Sequence, residues 1–219
     1  MESEETKVKG AKAEMPQQEV WNKIAEGWTN WRQRPESITE DLAREWTRGK
    51  ILDVGCGNCR NLLPFANSGF ECHGIDFSPN MVEAAKENCK KNKIKVKLNV
   101  ADADELPYKN AYFDYLISLS VIHHLDTKDK RIKAMQEIKR VLRPGGKALV
   151  SVWNKLQWKF VFKPEDIYVP WQRKGMEYMR YYHFFNHWEM IRLIKGTDLR
   201  ILWSSGPFGR NLQFIIEKK

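Results

Sequence analysis

The chain has 219 residues, with 37 Lys and Arg against 28 Asp and Glu and a formal net charge of +9. That length carries one sizeable core, and 42% hydrophobic with 30% charged residues excludes a disordered or fibrous chain. No apolar run reaches the roughly 18 residues of a membrane span, so no membrane association is expected. The charged start "MESEETKVKGAKAEM" has no apolar stretch of a secretory leader. Residues 1–15 read as a disordered tail before a single domain over 16–219. Four cysteines without such a leader point to a reducing, cytoplasmic setting rather than a disulfide framework.

In chain order, Val20, Trp21, Ile24, Ala25 and Trp28 are spaced for one face of a helix over 17–30. Pro35 breaks it, and a short helix follows at 38–47, ended by Gly49. "KILDVG" is a buried strand running into a glycine turn. A short helix over 61–69 is interrupted by Pro64, and "ECHGID" is the next strand. Ser78 as N-cap and Pro79 at the first helical position open a helix to about Asn92. From Ile94 to Val100 apolar and polar residues alternate, which predicts a half-exposed strand at a sheet edge. "YFDYLISLSV" is a central strand, 127–142 an amphipathic helix, and "RPGGKALVSVW" a turn and strand. An irregular segment precedes a helix over 185–197. Strands at 199–205 and 211–218, joined by "GPFG", close the chain as a hairpin. Strands alternating with helices predict an α/β fold, a Rossmann-like doubly wound seven-stranded sheet with the last strand antiparallel.

Ligands of such sheets sit beyond the carboxyl ends of the strands, so the loop in "ILDVGCGNCRNLL" is the expected site. Gly55 permits a tight turn and Gly57 a close backbone approach. Cys56 and Cys59 form a C-x-x-C pair, but no second knuckle accompanies them, and no metal is expected. A dinucleotide loop needs a third glycine where Arg60 stands, which disfavours NAD. Asp76 lies about 20 residues on, where an acid accepts from ribose hydroxyls, and Asp102 follows in "VADADELP".

"LDVGCGN", "GIDFS", "ADADELPY", "FDYLIS" and "LRPGGKALVSV" together resemble the successive motifs of class I S-adenosylmethionine-dependent methyltransferases. The resemblance implies S-adenosyl-L-methionine as cofactor. It implies a glycine loop at Asp53, Gly55 and Gly57 facing the methionine part, Asp76 with Phe77 at the ribose, and Asp102 with Ala103 at the adenine. Ser118 is a further expected cofactor contact. Cys59 stands where that family often has glycine.

Beyond Ser151 the chain holds 12 Lys and Arg against 6 Asp and Glu, and 15 of the 26 aromatics. Basic charge interleaved with aromatics is a footprint of nucleic-acid binding; a solvated basic surface over an aromatic core reads equally well. "VIHH", "YVPW" and "RYYHFF" resemble the family that methyl-esterifies 5-carboxymethyluridine at the tRNA wobble position. That resemblance implies tRNA as substrate, and a small zinc-containing activator protein pairing with the edge strand Ile94 to Val100. The expected catalytic group is His124, Arg180, Tyr181 and His183. That group is expected to orient the substrate carboxylate, Arg180 through paired hydrogen bonds; Arg32, Trp153, Tyr168 and Trp171 are expected to bind substrate, the three aromatics shaping a base pocket. A small-molecule methyltransferase and a non-catalytic cofactor- or RNA-binding adaptor remain open alternatives.

Overall fold

The computed structural model describes residues 15–173 and 175–219; the expected tail, apart from Met15, lies outside them. Helices α1 (Gln17–Trp31) and α2 (Ser37–Glu45) precede β1 (Lys50–Val54). Then follow α3 (Leu63–Asn67), β2 (Glu71–Asp76), α4 (Pro79–Lys91), β3 (Val96–Val100), β4 (Phe113–Leu119), α5 (Lys128–Val141) and β5 (Leu142–Trp153). A hairpin of β6 (Asp166–Arg173) and β7 (Met176–His183) leads to α6 (His187–Gly196), β8 (Leu199–Ser204) and β9 (Asn211–Lys218).

The main sheet has seven strands in the order β3-β2-β1-β4-β5-β9-β8. Strands β1 to β5 pair in parallel, and β9 runs antiparallel to β5 and β8. This is the expected doubly wound sheet. β4, buried along its whole length, lies at the centre. One sheet face packs Leu52, Leu116, Val150 and Phe214 against α5 and α6 residues such as Met135, Ile138 and Met190. The other packs Ile51, Ile117 and Leu149 against Leu42, Phe65 and Ala85. Each such side chain contributes about 1.5–3 kcal/mol of burial.

Local signals set the helix starts. Ser78 Oγ accepts from the Met81 amide at 3.2 Å, and Thr127 Oγ1 from that of Lys130 at 3.2 Å. Pro64 does not interrupt its helix. It sits in the first turn of α3, where its missing N–H costs nothing. β3 is an edge strand as expected. Val96 and Leu98 are half-buried, Lys97 and Asn99 exposed, and Val100, at 50% exposure, breaks the alternation.

The segment read as irregular contains β6 and β7, which form their own two-stranded sheet. The pairing places Val169 opposite Arg180 and Ile167 opposite Tyr182, with Tyr168 opposite Tyr181 and Asp166 opposite His183. Strand parity therefore gives this hairpin two faces. Ile167, Val169, Trp171, Tyr178, Arg180 and Tyr182 share one. Asp166, Tyr168, Tyr181 and His183 share the other.

Candidate active site

A cleft open to solvent lies beyond the carboxyl ends of β1, β2 and β4. Its floor begins at the loop after β1. Gly55 has φ +70°, and a Cβ there would come within 2.3 Å of Val121 Cγ2, so both conformation and space require glycine. Gly57 has φ +52°, with no atom within 4 Å of an added Cβ. Asp76, at the end of β2, holds the loop. Its Oδ2 accepts from Gly57 N at 2.9 Å and its Oδ1 from Ser78 N at 2.9 Å. Burial pushes the Asp76 carboxyl up to about 6, against those two amides.

Cys59 resolves the question raised by its position. It is fully buried with φ +60°, a left-handed conformation that favours glycine. Its thiol lies among Cys56 and Cys89, hydrogen-bonded to both, and with burial these neighbours push it well above the ordinary thiol value. All four cysteines are free and buried. Arg60, where a dinucleotide loop would have glycine, turns back to pair with Glu36 at 3.1 Å. That contact, together with Glu36 N donating to Asn61 Oδ1 at 3.0 Å, ties the α1–α2 connection to the loop.

Helix α1 forms the upper wall. Its Asn22 accepts from Ser78 Oγ at 2.6 Å, fixing α1 to the start of α4. Gln17 fixes it to β7, donating to Met179 O at 3.1 Å and accepting from Tyr181 N at 2.8 Å. Trp21 and Trp28 thereby face the cleft.

The expected cofactor residues divide into those on the wall and those beneath it. Gly55, Gly57, Asp76, Phe77, Asp102 and Ala103 line the cleft. Asp53 and Ser118 do not line it. Both are buried one step back along their strands, and Asp53 Oδ2 and Ser118 Oγ have no hydrogen-bond partner. Burial drives the Asp53 carboxyl well above its ordinary value. The wall near Ser118 is built instead by Leu119, Ser120 and Val121, the residues that leave the end of β4. These residues fit the expected cofactor: an open glycine floor, an acid at the second strand's end, and a second acid beside an apolar Ala103.

The expected catalytic group is split. His124 lines the cleft with His123, Trp153, Tyr182 and Arg32. Arg180 lies directly behind, donating from Nη1 to Tyr182 Oη at 2.7 Å. Its guanidinium carbon is 5.1 Å from the Trp171 ring centre and 5.8 Å from that of Trp28. Trp171 joins it there, 5.5 Å from Trp28. Tyr181, His183 and Tyr168 point the other way, because they occupy the opposite parity of the hairpin. Tyr181 Oη bonds Asp166, and the Tyr168 ring rests 5.8 Å from that of Tyr181. His183 bridges Asp166 and Glu189 at 2.8 Å each. Burial lowers the His183 value, but the two carboxylates outweigh it and hold the imidazole above its ordinary range. Arg131 completes this second cluster, 3.4 Å from Tyr181 Oη.

Tyr182, which the sequence reading missed in favour of its neighbours, accepts from Arg180 and so keeps its own O–H free to donate. Burial pushes it up to about 12. His124 Nδ1 donates to the Tyr181 carbonyl at 2.9 Å, and His123 Nδ1 accepts from Trp153 N at 3.1 Å. Burial lowers both, His124 to about 3, so both rings are neutral near pH 7. Among the described residues neither Arg180 nor Arg32 has a carboxylate partner, and the Nε of each is buried and unpartnered. Arg32 lies 5.6 Å from the same Trp28 ring, on the cleft wall. Arg32 is half-buried on the cleft wall with Glu36 among its charged neighbours, and Arg180 is buried behind that wall.

Residues 52–150 match the family described as "Methyltransferase domain". The chain is 28% identical over 215 residues to the "tRNA (carboxymethyluridine(34)-5-O)-methyltransferase" of Schizosaccharomyces pombe, covering 84% of this chain and 88% of that protein. It is 37% identical over 124 residues to the mouse "Probable tRNA methyltransferase 9B", covering 56% of this chain. The chain spans only about a quarter of the mouse protein's length (26%). The fold is similar to that of the CcbJ methyltransferase from Streptomyces caelestis, with a TM-score of 0.76, 14% identity, and coverage of 93% of this chain and 99% of that one.

Proposed function

We propose that the chain is a class I S-adenosylmethionine-dependent methyltransferase that methylates the carboxylate of 5-carboxymethyluridine at the tRNA wobble position. The observation that carries this reading is the pair Arg32 and Arg180. Arg180 is buried, and a buried guanidinium without a carboxylate costs several kcal/mol unless an anion completes it; Arg32, half-buried on the cleft wall, adds a second unpartnered Nε. A substrate carboxylate supplies that anion, and planar guanidiniums bind it through paired hydrogen bonds. The similarity to the fission yeast enzyme over most of both chains supports the same substrate.

The cofactor, when bound, supplies a methyl group on a sulfonium centre. The protein's part is orientation and exclusion of water. Arg180 and Arg32 hold the carboxylate, and the free O–H of Tyr182 donates to it. The nucleophile is already an anion near pH 7, since a carboxylic acid titrates at about 4, so no general base is needed. Neutral His123 and His124 set no extra charge against the site. Trp153 and Trp171 offer flat apolar faces to a splayed base. In this reading Asp53 and Ser118 support the cofactor loop from below, and Tyr181, His183 and Tyr168 brace the hairpin rather than touch substrate.

The chain acts in this proposal as the catalytic subunit, in one domain over 16–219, in a reducing cytoplasm that suits four free thiols. Its partner is a small zinc-containing protein that adds a strand to β3, whose open backbone edge and half-exposed Val96, Leu98 and Val100 offer a pairing template. The test is methyl transfer from labelled S-adenosylmethionine into total tRNA, with the partner present. An ester is lost in mild alkali. Label that survives alkali, or that enters only small molecules, overturns the reading.

A further inference from the structure

The segment between β5 and β6 is absorbed by none of the roles above. Residues 154–163, "NKLQWKFVFK", carry three lysines and no acid. They form consecutive turns, Phe160 N donating to Gln157 O at 2.8 Å and Lys163 N to Phe160 O at 2.9 Å. The base of the segment is pinned. Asn154 Nδ2 donates to Pro207 O and Gly209 O, each at 2.7 Å, and Lys155 N to Phe185 O at 2.8 Å. Phe160 is buried against Tyr182 and Phe184 and lies 5.6 Å from the Trp153 ring at the cleft wall. A pinned turn with a buried central ring has no packing reason to expose its other rings. Yet Trp158 is 87% exposed and Phe162 89% exposed.

Single exposed aromatics are common, but neighbouring ones that form a shared apolar patch mark interaction sites. Trp158 and Phe162 lie edge to face with ring centres 6.4 Å apart, so the two rings are not stacked on each other. Of the segment's lysines, Lys155 reaches Glu165 at 3.9 Å, Lys159 lies 4.6 Å over the Phe160 ring, and Lys163 is exposed. The adjoining β8–β9 turn adds Phe208, 89% exposed, and Arg210, whose carbonyl accepts from Gln157. Exposed rings set among cations are what single-stranded nucleic acid requires: each base presents a π-face, and each linkage a phosphate.

We propose that residues 154–163 are a docking element for the single-stranded part of the RNA substrate, with Trp158 and Phe162 stacking on bases next to the one methylated and the lysines contacting phosphates. The inference rests on the tRNA reading above. Phe160 couples the element to Trp153, so a loop seated on it continues into the cleft.

The test uses the full chain and a labelled anticodon stem-loop RNA, followed by fluorescence anisotropy. The double variant W158A/F162A should bind the RNA roughly tenfold more weakly. The triple variant K155Q/K159Q/K163Q should bind more weakly and show a shallower salt dependence. S-adenosylmethionine affinity by calorimetry should not change in either, which also reports that they fold. Unchanged RNA affinity in both variants overturns the proposal. So does a Trp158-dependent association with vesicles of anionic phospholipid while RNA binding is untouched, which would make the element a membrane contact. The two readings separate cleanly. If RNA binding falls as expected but no alkali-labile methyl is ever found, the docking element stands and the substrate assignment fails. If the ester forms and the variants leave KM for tRNA unchanged, the reverse holds.

Discussion

The floor of the cleft and the hairpin that closes one side of it are built on different rules. On the floor, backbone conformation fixes chemistry: Gly55 and Gly57 take positive φ angles, and Asp76 collects the Gly57 and Ser78 amides. On the hairpin, parity fixes chemistry: Tyr182 lines the cleft with Arg180 directly behind it, while Tyr181 and His183, one residue away, face Asp166. Floor residues are thus replaceable only at the cost of the cofactor. Hairpin residues have effects that alternate along the strand.

The largest effect should come from Asp76→Ala. It leaves two backbone amides unpaired at about 1–3 kcal/mol each, and S-adenosylmethionine affinity by calorimetry should fall roughly a hundredfold or more. The same carboxylate predicts a pH dependence. Cofactor hydroxyls donate to the ionised acid, so affinity should decline as pH falls through about 6. In the free protein the sign reverses. A raised folded value favours the protonated group, so its contribution to stability is full below the ordinary aspartate value of about 3.9 and is lost as pH rises through about 6.

Next comes Arg180→Ala, which should lower kcat/KM for tRNA roughly a hundredfold by removing a charged hydrogen-bond donor, with cofactor affinity unchanged. Equal loss of cofactor binding would mean that the floor and the hairpin are not separate. On the far face, His183→Asn should change kcat by less than about threefold but cost about 1–3 kcal/mol of stability, read by urea unfolding. The imidazolium is held by Asp166 and Glu189, beside Arg131 and Tyr181. Its raised value means the contribution is full below the ordinary histidine pKa of about 6.5 and is lost as pH rises through the folded value. The smallest effect should be Cys59→Gly. Relief of a left-handed non-glycine residue, about 1 kcal/mol, offsets the lost burial of the thiol, leaving stability within about 1 kcal/mol of the starting chain.

The floor was legible in the sequence because glycine spacing and strand-end acids are local properties. Gly55, Gly57, Asp76 and Asp102 needed only the alternation of strands and helices to place them. Asp53 and Ser118, each one residue before its strand's end, stay beneath the cleft wall, because which residue first reaches the cleft depends on where the strand bends away. Ser120, with φ +63°, does so beyond β4. The hairpin was illegible because 166–183 carries Pro170 and mixed aromatics that blur the period of two, although Gly175 signals a turn. With the strand missed, Arg180, Tyr181 and His183 looked like neighbours. Once β7 exists, they cannot all face one ligand.

Two phenylalanine substitutions, one residue apart, test this account most directly. Each removes a single hydroxyl and leaves the ring. Initial-rate methylation of tRNA with saturating cofactor should show kcat/KM for Tyr182→Phe reduced about tenfold. Tyr181→Phe should stay within about twofold of the unaltered chain. If Tyr181→Phe is the slower enzyme, or if both are equally impaired, the assignment of the hairpin's cleft face to Arg180 and Tyr182 is contradicted.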